Sequence, residues 1–149
     1  MNKEIKILHV EPQFQDAQKV QQFLRTTQYR AVYKRIETRN EILRILPEFE
    51  PDVVLTEIRL QGFDANFVLD TARTHSQDVP VIILSDHVQQ GDLFVLLEDG
   101  FWDVLPKSKL PQLEKSIYLM LRERDRKKAE SQRSQGLEWG VISNIFDKE

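Results

Sequence analysis

Apolar residues fall along this chain in short runs that alternate with amphipathic stretches of helical period. Ile5-Lys6-Ile7-Leu8-His9-Val10 predicts a first strand, and Asp16 through Thr26 predicts a helix with Ala17, Val20, Phe23 and Leu24 on one face. Ala31 to Ile36 is a weaker second strand. Thr38 to Leu46 is a helix in which Thr38 and Glu41 fit a capping box, and Pro47 and Pro51 bracket the connection that follows. Val53-Val54-Leu55 is a continuous β-branched and apolar run, suited to a strand covered on both faces of a parallel sheet. It delivers Glu57 to a loop that turns at Gly62.

From about Asp64 to His75 a third helix is expected to bury Phe67, Val68 and Ala72. Val79 to Leu84 is a fourth strand ending at Ser85-Asp86, Gln89 to Asp99 a fourth helix stopped by Gly100, and Asp103-Val104-Leu105 a fifth strand ending at Pro106-Lys107. Five strands alternating with five helices predict an α/β fold, a doubly wound five-stranded parallel sheet flanked by five helices. No glycine or proline occurs between Pro111 and Gly136, so the last helix is expected to run from Leu110 into Arg133. Leu113, Ile117, Met120 and Leu121 would bury, while Arg122 through Lys128 must leave the globule. Leu137, Trp139, Val141, Ile142, Ile145 and Phe146 then form either a small docking helix or the first turns of a further domain. The division expected is a domain over residues 1–124 and a charged helical extension with a short apolar segment over 125–149.

Composition narrows the function. The 149 residues suffice for one ordinary core, and a net charge of −3 with a pI near 5.7 gives a nucleic-acid partner no global electrostatic support. The charged run after Arg122 is read as a solvated helix face. There are no cysteines, and His9, His75 and His87 are scattered without ligand spacing, so each is read as a packing or surface residue. No signal-peptide pattern and no apolar run of bilayer length occur, which leads us to expect a cytoplasmic, soluble protein without membrane contact.

In a parallel sheet these strands bring Glu11 and Pro12, Glu57, Ser85 with Asp86, and Lys107 together at their carboxyl ends, where ligands of open α/β folds gather. The order of these pieces, Lys6 to Glu11, Pro51 to Asp64, Val79 to Ser85 and Asp103 to Lys107, resembles the receiver domain of two-component response regulators over roughly residues 4 to 124. The resemblance implies a flavodoxin-like receiver fold that switches when an aspartate at the position of Glu57 takes a phosphoryl group from a histidine kinase. It also implies magnesium on first-loop carboxylates, with Lys107 and the Ser85 hydroxyl as switch partners of the phosphoryl oxygens. The chain departs from that pattern at three positions. Glu57 replaces the aspartate, Pro12 stands where a second acidic ligand is usual, and Val104 stands where an aromatic switch residue is usual.

The expectation is therefore a regulatory, non-enzymatic pseudo-receiver, with no catalytic residue, no resident cofactor and magnesium weak at best. Glu57 would pair with Lys107 and accept a bond from Ser85, or the pair would be an inert remnant; Glu11 and Asp86 would line an acidic pocket, Asp86 with its role open. The partner would be a kinase or output domain. Phe94 and Leu97, on an apolar fourth helix, would mark an interface, which admits a homodimer through the fourth helix, fifth strand and fifth helix or through the C-terminal helix. The alternative is the receiver portion of a larger sensor kinase or nucleotide cyclase. A flavin- or nucleotide-binding protein is disfavoured because Glu11-Pro12-Gln13-Phe14 is no glycine-rich phosphate loop.

Overall fold

The structure is a computed structural model that describes the backbone of residues 4–147 and the side chains of residues 4–133. The apolar segment from Leu137 to Phe146 therefore has its side chains outside the described residues. Two compact units divide inside the last helix, Met1–Ser116 and Ile117–Glu149.

In the first unit the strands are β1 (Glu4–Val10), β2 (Arg30–Ile36), β3 (Val53–Thr56), β4 (Val81–Leu84) and β5 (Asp103–Leu105). They pair in parallel in the order β2-β1-β3-β4-β5. The helices between them are α1 (Phe14–Leu24), α2 (Arg39–Phe49), α3 (Ala65–His75) and α4 (Leu93–Asp99), and α5 (Leu110–Asp147) follows β5. The central strands are buried without alternation, as their apolar runs required: every residue of β3 and β4 is buried. Leu8, Val10, Val54 and Ile83 share one sheet face with the buried residues of α2 and α3. Ile5, Ile7, Leu55 and Ile82 lie on the opposite face by the two-residue period of a strand.

Register aligns the strand ends. Val10 pairs with Thr56, Thr56 with Ile83 and Leu84 with Leu105, so the next residue of each strand emerges on one edge. Backbone bonds extend that alignment into the loops: the amide of Glu57 donates to the Val10 carbonyl at 2.9 Å, and that of Ser85 to the Leu105 carbonyl at 3.0 Å. The chain order reverses between β1 and β3, which opens a crevice beyond their carboxyl ends.

Several expected boundaries shift. The capping box of Thr38 and Glu41 is present, but α2 runs through Pro47 to Phe49 and ends on Glu50 in the left-handed region, φ 49°. Pro47 has no amide hydrogen to donate to the Leu43 carbonyl one turn earlier, and Leu43 lies on the exposed face of the helix. The fourth helix is shorter than expected: Gln90–Asp92 forms a 3-10 turn and α4 begins at Leu93. Phe67 is only half-buried and lies under the Arg39 guanidinium, 4.6 Å from the ring centroid. In the second unit α5 does not end near Arg133; it runs through Gly136 to Asp147, 38 residues from its start. A glycine inside a helix costs about 1 kcal/mol relative to alanine, too little to end it alone.

Candidate functional site

Glu57 leaves the end of β3 fully enclosed, with 3% of its surface exposed. Its Oε1 accepts the amide of Ile58 at 2.8 Å, the amide of Arg59 at 3.3 Å and a short bond donated by the Ser85 hydroxyl. Its Oε2 lies 2.6 Å from Lys107 Nζ. Burial opposes ionisation of Glu57, yet the bonds from Lys107 and Ser85 outweigh it and hold the carboxyl below the usual glutamate range. The Ser85 oxygen in turn accepts the amide of His87 at 3.0 Å, which ties the loop after β4 to the same cluster.

Lys107 is the hub. Besides Glu57, its ammonium reaches Glu11 Oε1 at 2.7 Å and Asp16 Oδ2 at 2.8 Å, distances of charge-assisted bonds. Burial would lower the lysine pKa, but Asp16, Glu11 and Glu57 together raise it above its ordinary value. Glu11 is completely buried, and that desolvation raises its pKa despite bonds from Lys107 and the Gln13 amide. Its loop is clamped from β2. Arg35 donates from Nε to the Glu11 carbonyl and from Nη2 to the Pro12 carbonyl, both at 2.9 Å, and its guanidinium lies over the Phe14 ring.

The structure thus unites four residues expected at the site, Glu11, Glu57, Ser85 and Lys107, and it corrects a fifth. Asp86 is not part of the acidic pocket. It is exposed, and its Oδ1 accepts the Lys107 backbone amide at 2.9 Å, so it fixes the loop carrying the lysine. The third carboxylate is Asp16, from the first turn of α1, which strand-end reasoning missed. Pro12 lines the pocket without a carboxylate, and Val104 is half-buried against the core. His9 is a packing residue, as read. It is wholly buried with Nδ1 2.6 Å from the Tyr33 hydroxyl, and burial, with Lys107 and Arg35 nearby, lowers its pKa to about 3.

A cavity of about 450 Å³ opens in front of these groups, lined by Glu11, Asp16, Glu57, Arg59, His87 and Lys107 among others. Magnesium prefers an octahedron of oxygens with free lone pairs. Here one oxygen of each of the three carboxylates faces the lysine, and the remaining oxygen of Glu57 is already triply bonded. Among the described residues no group of three acidic, histidine or cysteine side chains is placed to hold a metal ion.

Away from the pocket, α4 buries Leu96 but leaves Phe94 70% and Leu97 42% exposed, with Leu93 and Val95 beside them. Trp102 lies just ahead of β5 and donates from its indole to the Ser116 carbonyl at 3.3 Å. No helix among the described residues is long and apolar enough to cross a membrane.

Comparison with known proteins agrees with this fold. The family model of the response regulator receiver domain matches residues 7–118. The DNA-binding transcriptional regulator NtrC of Salmonella typhimurium is 34% identical over 71 residues, 48% of this chain and 15% of that protein. NtrC of Klebsiella pneumoniae matches to the same extent. The chain thus spans 15% of the length of these relatives. Among solved structures, the signal receiver domain of a Luxo repressor protein from Vibrio parahaemolyticus superposes with a TM-score of 0.73 at 21% identity, over 84% of this chain and 95% of that one. The receiver domain of a modulated diguanylate cyclase from Desulfovibrio desulfuricans G20 gives 0.71 at 17% identity, over 84% and 99%.

Proposed function

The chain belongs to the response regulator receiver domain family of two-component signalling, and on that premise we propose that it is a pseudo-receiver that takes no phosphoryl group at residue 57. It acts instead by docking a protein partner in one fixed state. The observation that carries this reading is the bonding of Glu57: the carboxylate already holds the Ser85 hydroxyl, the Lys107 ammonium and two backbone amides.

Phosphoryl transfer to a carboxylate needs donors free to neutralise the incoming oxygens. The extra methylene of glutamate brings its own oxygens to those donors, so the bonds that a phosphoryl group would make are made in the resting protein. A ligand shifts a conformational equilibrium only through differential affinity for the two states. With the hydroxyl and the ammonium already engaged, and valine at 104 in place of a large aromatic lever, little difference remains to exploit. The saturated oxygens likewise leave magnesium weakly held at best. The module has no catalysis of its own, and its partner is a kinase or output domain. The exposed face of α4 around Phe94 and Leu97 is the contact surface that the geometry favours. The charge of −3 argues against nucleic acid.

The test is incubation of the protein with a small-molecule phosphodonor and magnesium, followed by intact mass. The unmodified mass is the expected result, and a stoichiometric, hydroxylamine-labile addition at residue 57 overturns the reading. A second reading, the receiver portion of a larger sensor kinase or nucleotide cyclase, draws support from the 38-residue span of α5 and from relatives many times longer than the match. Reading the native frame past Glu149 separates the two.

A further inference from the structure

The resemblance that guided the reading of the site leaves Asp16 without a role, yet Asp16 makes one of the three bonds on Lys107. An ammonium has three N–H donors and no acceptor. Glu11 from the end of β1, Asp16 from α1 and Glu57 from the end of β3 each approach it within 2.8 Å, so its ammonium is ion-paired with side chains from three separate elements. Its backbone is fixed as well, through the bond from its amide to Asp86. The lysine is therefore held within an acidic shell from both ends of the residue, at the wall of the cavity.

We propose that Lys107 is a built-in counter-cation that takes the place of a divalent ion, and that Asp16 completes its shell, supplying from α1 the carboxylate that Pro12 removes from the first loop. The inference rests on the pseudo-receiver reading of the same pocket but concerns a different property, cation occupancy. The charges explain the arrangement. Three carboxylates and one ammonium leave a formal charge of −2, so the lysine offsets only part of the repulsion among the acids. Without it the three carboxylates would face one another across a cavity already open to water, the condition that draws a hard cation. Arg35 strengthens the device by fixing the carbonyls of Glu11 and Pro12, so the first loop is not free to turn its carboxylate away.

The experiment is Mn²⁺ binding, followed by the loss of the free-ion electron paramagnetic resonance signal, for the full chain, Lys107→Met and Lys107→Met/Asp16→Asn, with circular dichroism to establish folding. Lys107→Met is expected to bind Mn²⁺ at least about tenfold more tightly than the parent, and Asp16→Asn to reverse most of that gain. Equal binding by the parent and folded Lys107→Met, including none by either, overturns the counter-cation. A gain that survives Asp16→Asn removes Asp16 from the shell.

Should Lys107→Met fail to fold, Asp16→Asn alone gives the answer through acylation of Lys107 by an amine-reactive ester, read by peptide mass. Its rate is expected to rise several-fold over the parent, and an unchanged rate overturns the proposal. None of these measurements involves a phosphodonor. Phosphorylation at residue 57 would refute the pseudo-receiver and leave the cation result readable on its own.

Discussion

Replacing Glu57 by glutamine keeps the shape of the side chain and removes its charge, which isolates the electrostatic part of the site. The amide oxygen can keep the bonds from Ser85, Ile58 and Arg59, but the amide nitrogen then confronts Lys107 Nζ where an acceptor stood 2.6 Å away. Removing one partner of a buried ion pair costs roughly 3–5 kcal/mol. Two circumstances reduce that figure here. Lys107 keeps Glu11 and Asp16, and 14% of its side chain remains in contact with solvent. The expected loss for Glu57→Gln is therefore about 2–3 kcal/mol at neutral pH.

The pH dependence supplies the sharper test. The folded-state pKa of Glu57 is depressed from 4.5, so its stabilisation is present above that value and disappears as pH falls through the lower folded value. Glu11 has the opposite sign, because its pKa is raised; the Glu57 charge is one of the causes, so Glu57→Gln also relieves part of that rise. Urea denaturation of parent and variant at several values between pH 3 and pH 7 measures that difference directly. The advantage of the parent is expected to be constant in the neutral range and to shrink below about pH 4.5. A loss under about 0.5 kcal/mol at neutral pH, or a loss that does not change with acid, would refute the claim that a charged Glu57 anchors this site.

Two further outcomes follow from other parts of the molecule. Gly100 ends α4 at φ 113°, and a Cβ there would overlap the Arg73 guanidinium, which donates to the Asp99 carbonyl at 3.1 Å; Gly100→Ala is expected to cost about 2 kcal/mol in the same denaturation assay, and Arg73→Ala to restore only the steric part. Phe94→Ser with Leu97→Ser changes exposed side chains, so stability should stay within about 0.5 kcal/mol, while light scattering of parent and variant tests whether this face joins copies of the chain; an unchanged mass removes it as a self-association surface.

What was legible in the sequence follows from where the information lies. The run from Pro51 to Gly62 could be read because a buried parallel strand needs uninterrupted apolar residues, and because Gly62 sits at φ 83°, where only glycine is at ease. Glu11, Glu57, Ser85 and Lys107 could be gathered because parallel strands end on one edge whatever their side chains do. Asp86 was misplaced for a related reason: successive residues leaving a strand point to opposite sides, so adjacency to Ser85 carried no promise of a shared pocket. Pro47 and Gly136 were read as punctuation, but the cost of each depends on surroundings the sequence does not display.

Asp16 shows most clearly what pattern reading omits. In the sequence it is a polar residue on the first turn of an amphipathic helix, next to the buried Ala17 and indistinguishable from a solvated position. Its reach to Lys107 depends on how α1 leaves the first loop, and that exit is set by Arg35 across the sheet on β2. The carboxylate missing at Pro12 is thus replaced through a contact spanning 91 positions, and the replacement in turn depends on a guanidinium 23 positions from the proline. Taken singly, Pro12 and Glu57 are losses from a phosphorylation site. Around Lys107 the same region is one ion-paired structure, in which the longer side chain of Glu57 and the carboxylate of Asp16 meet the same ammonium.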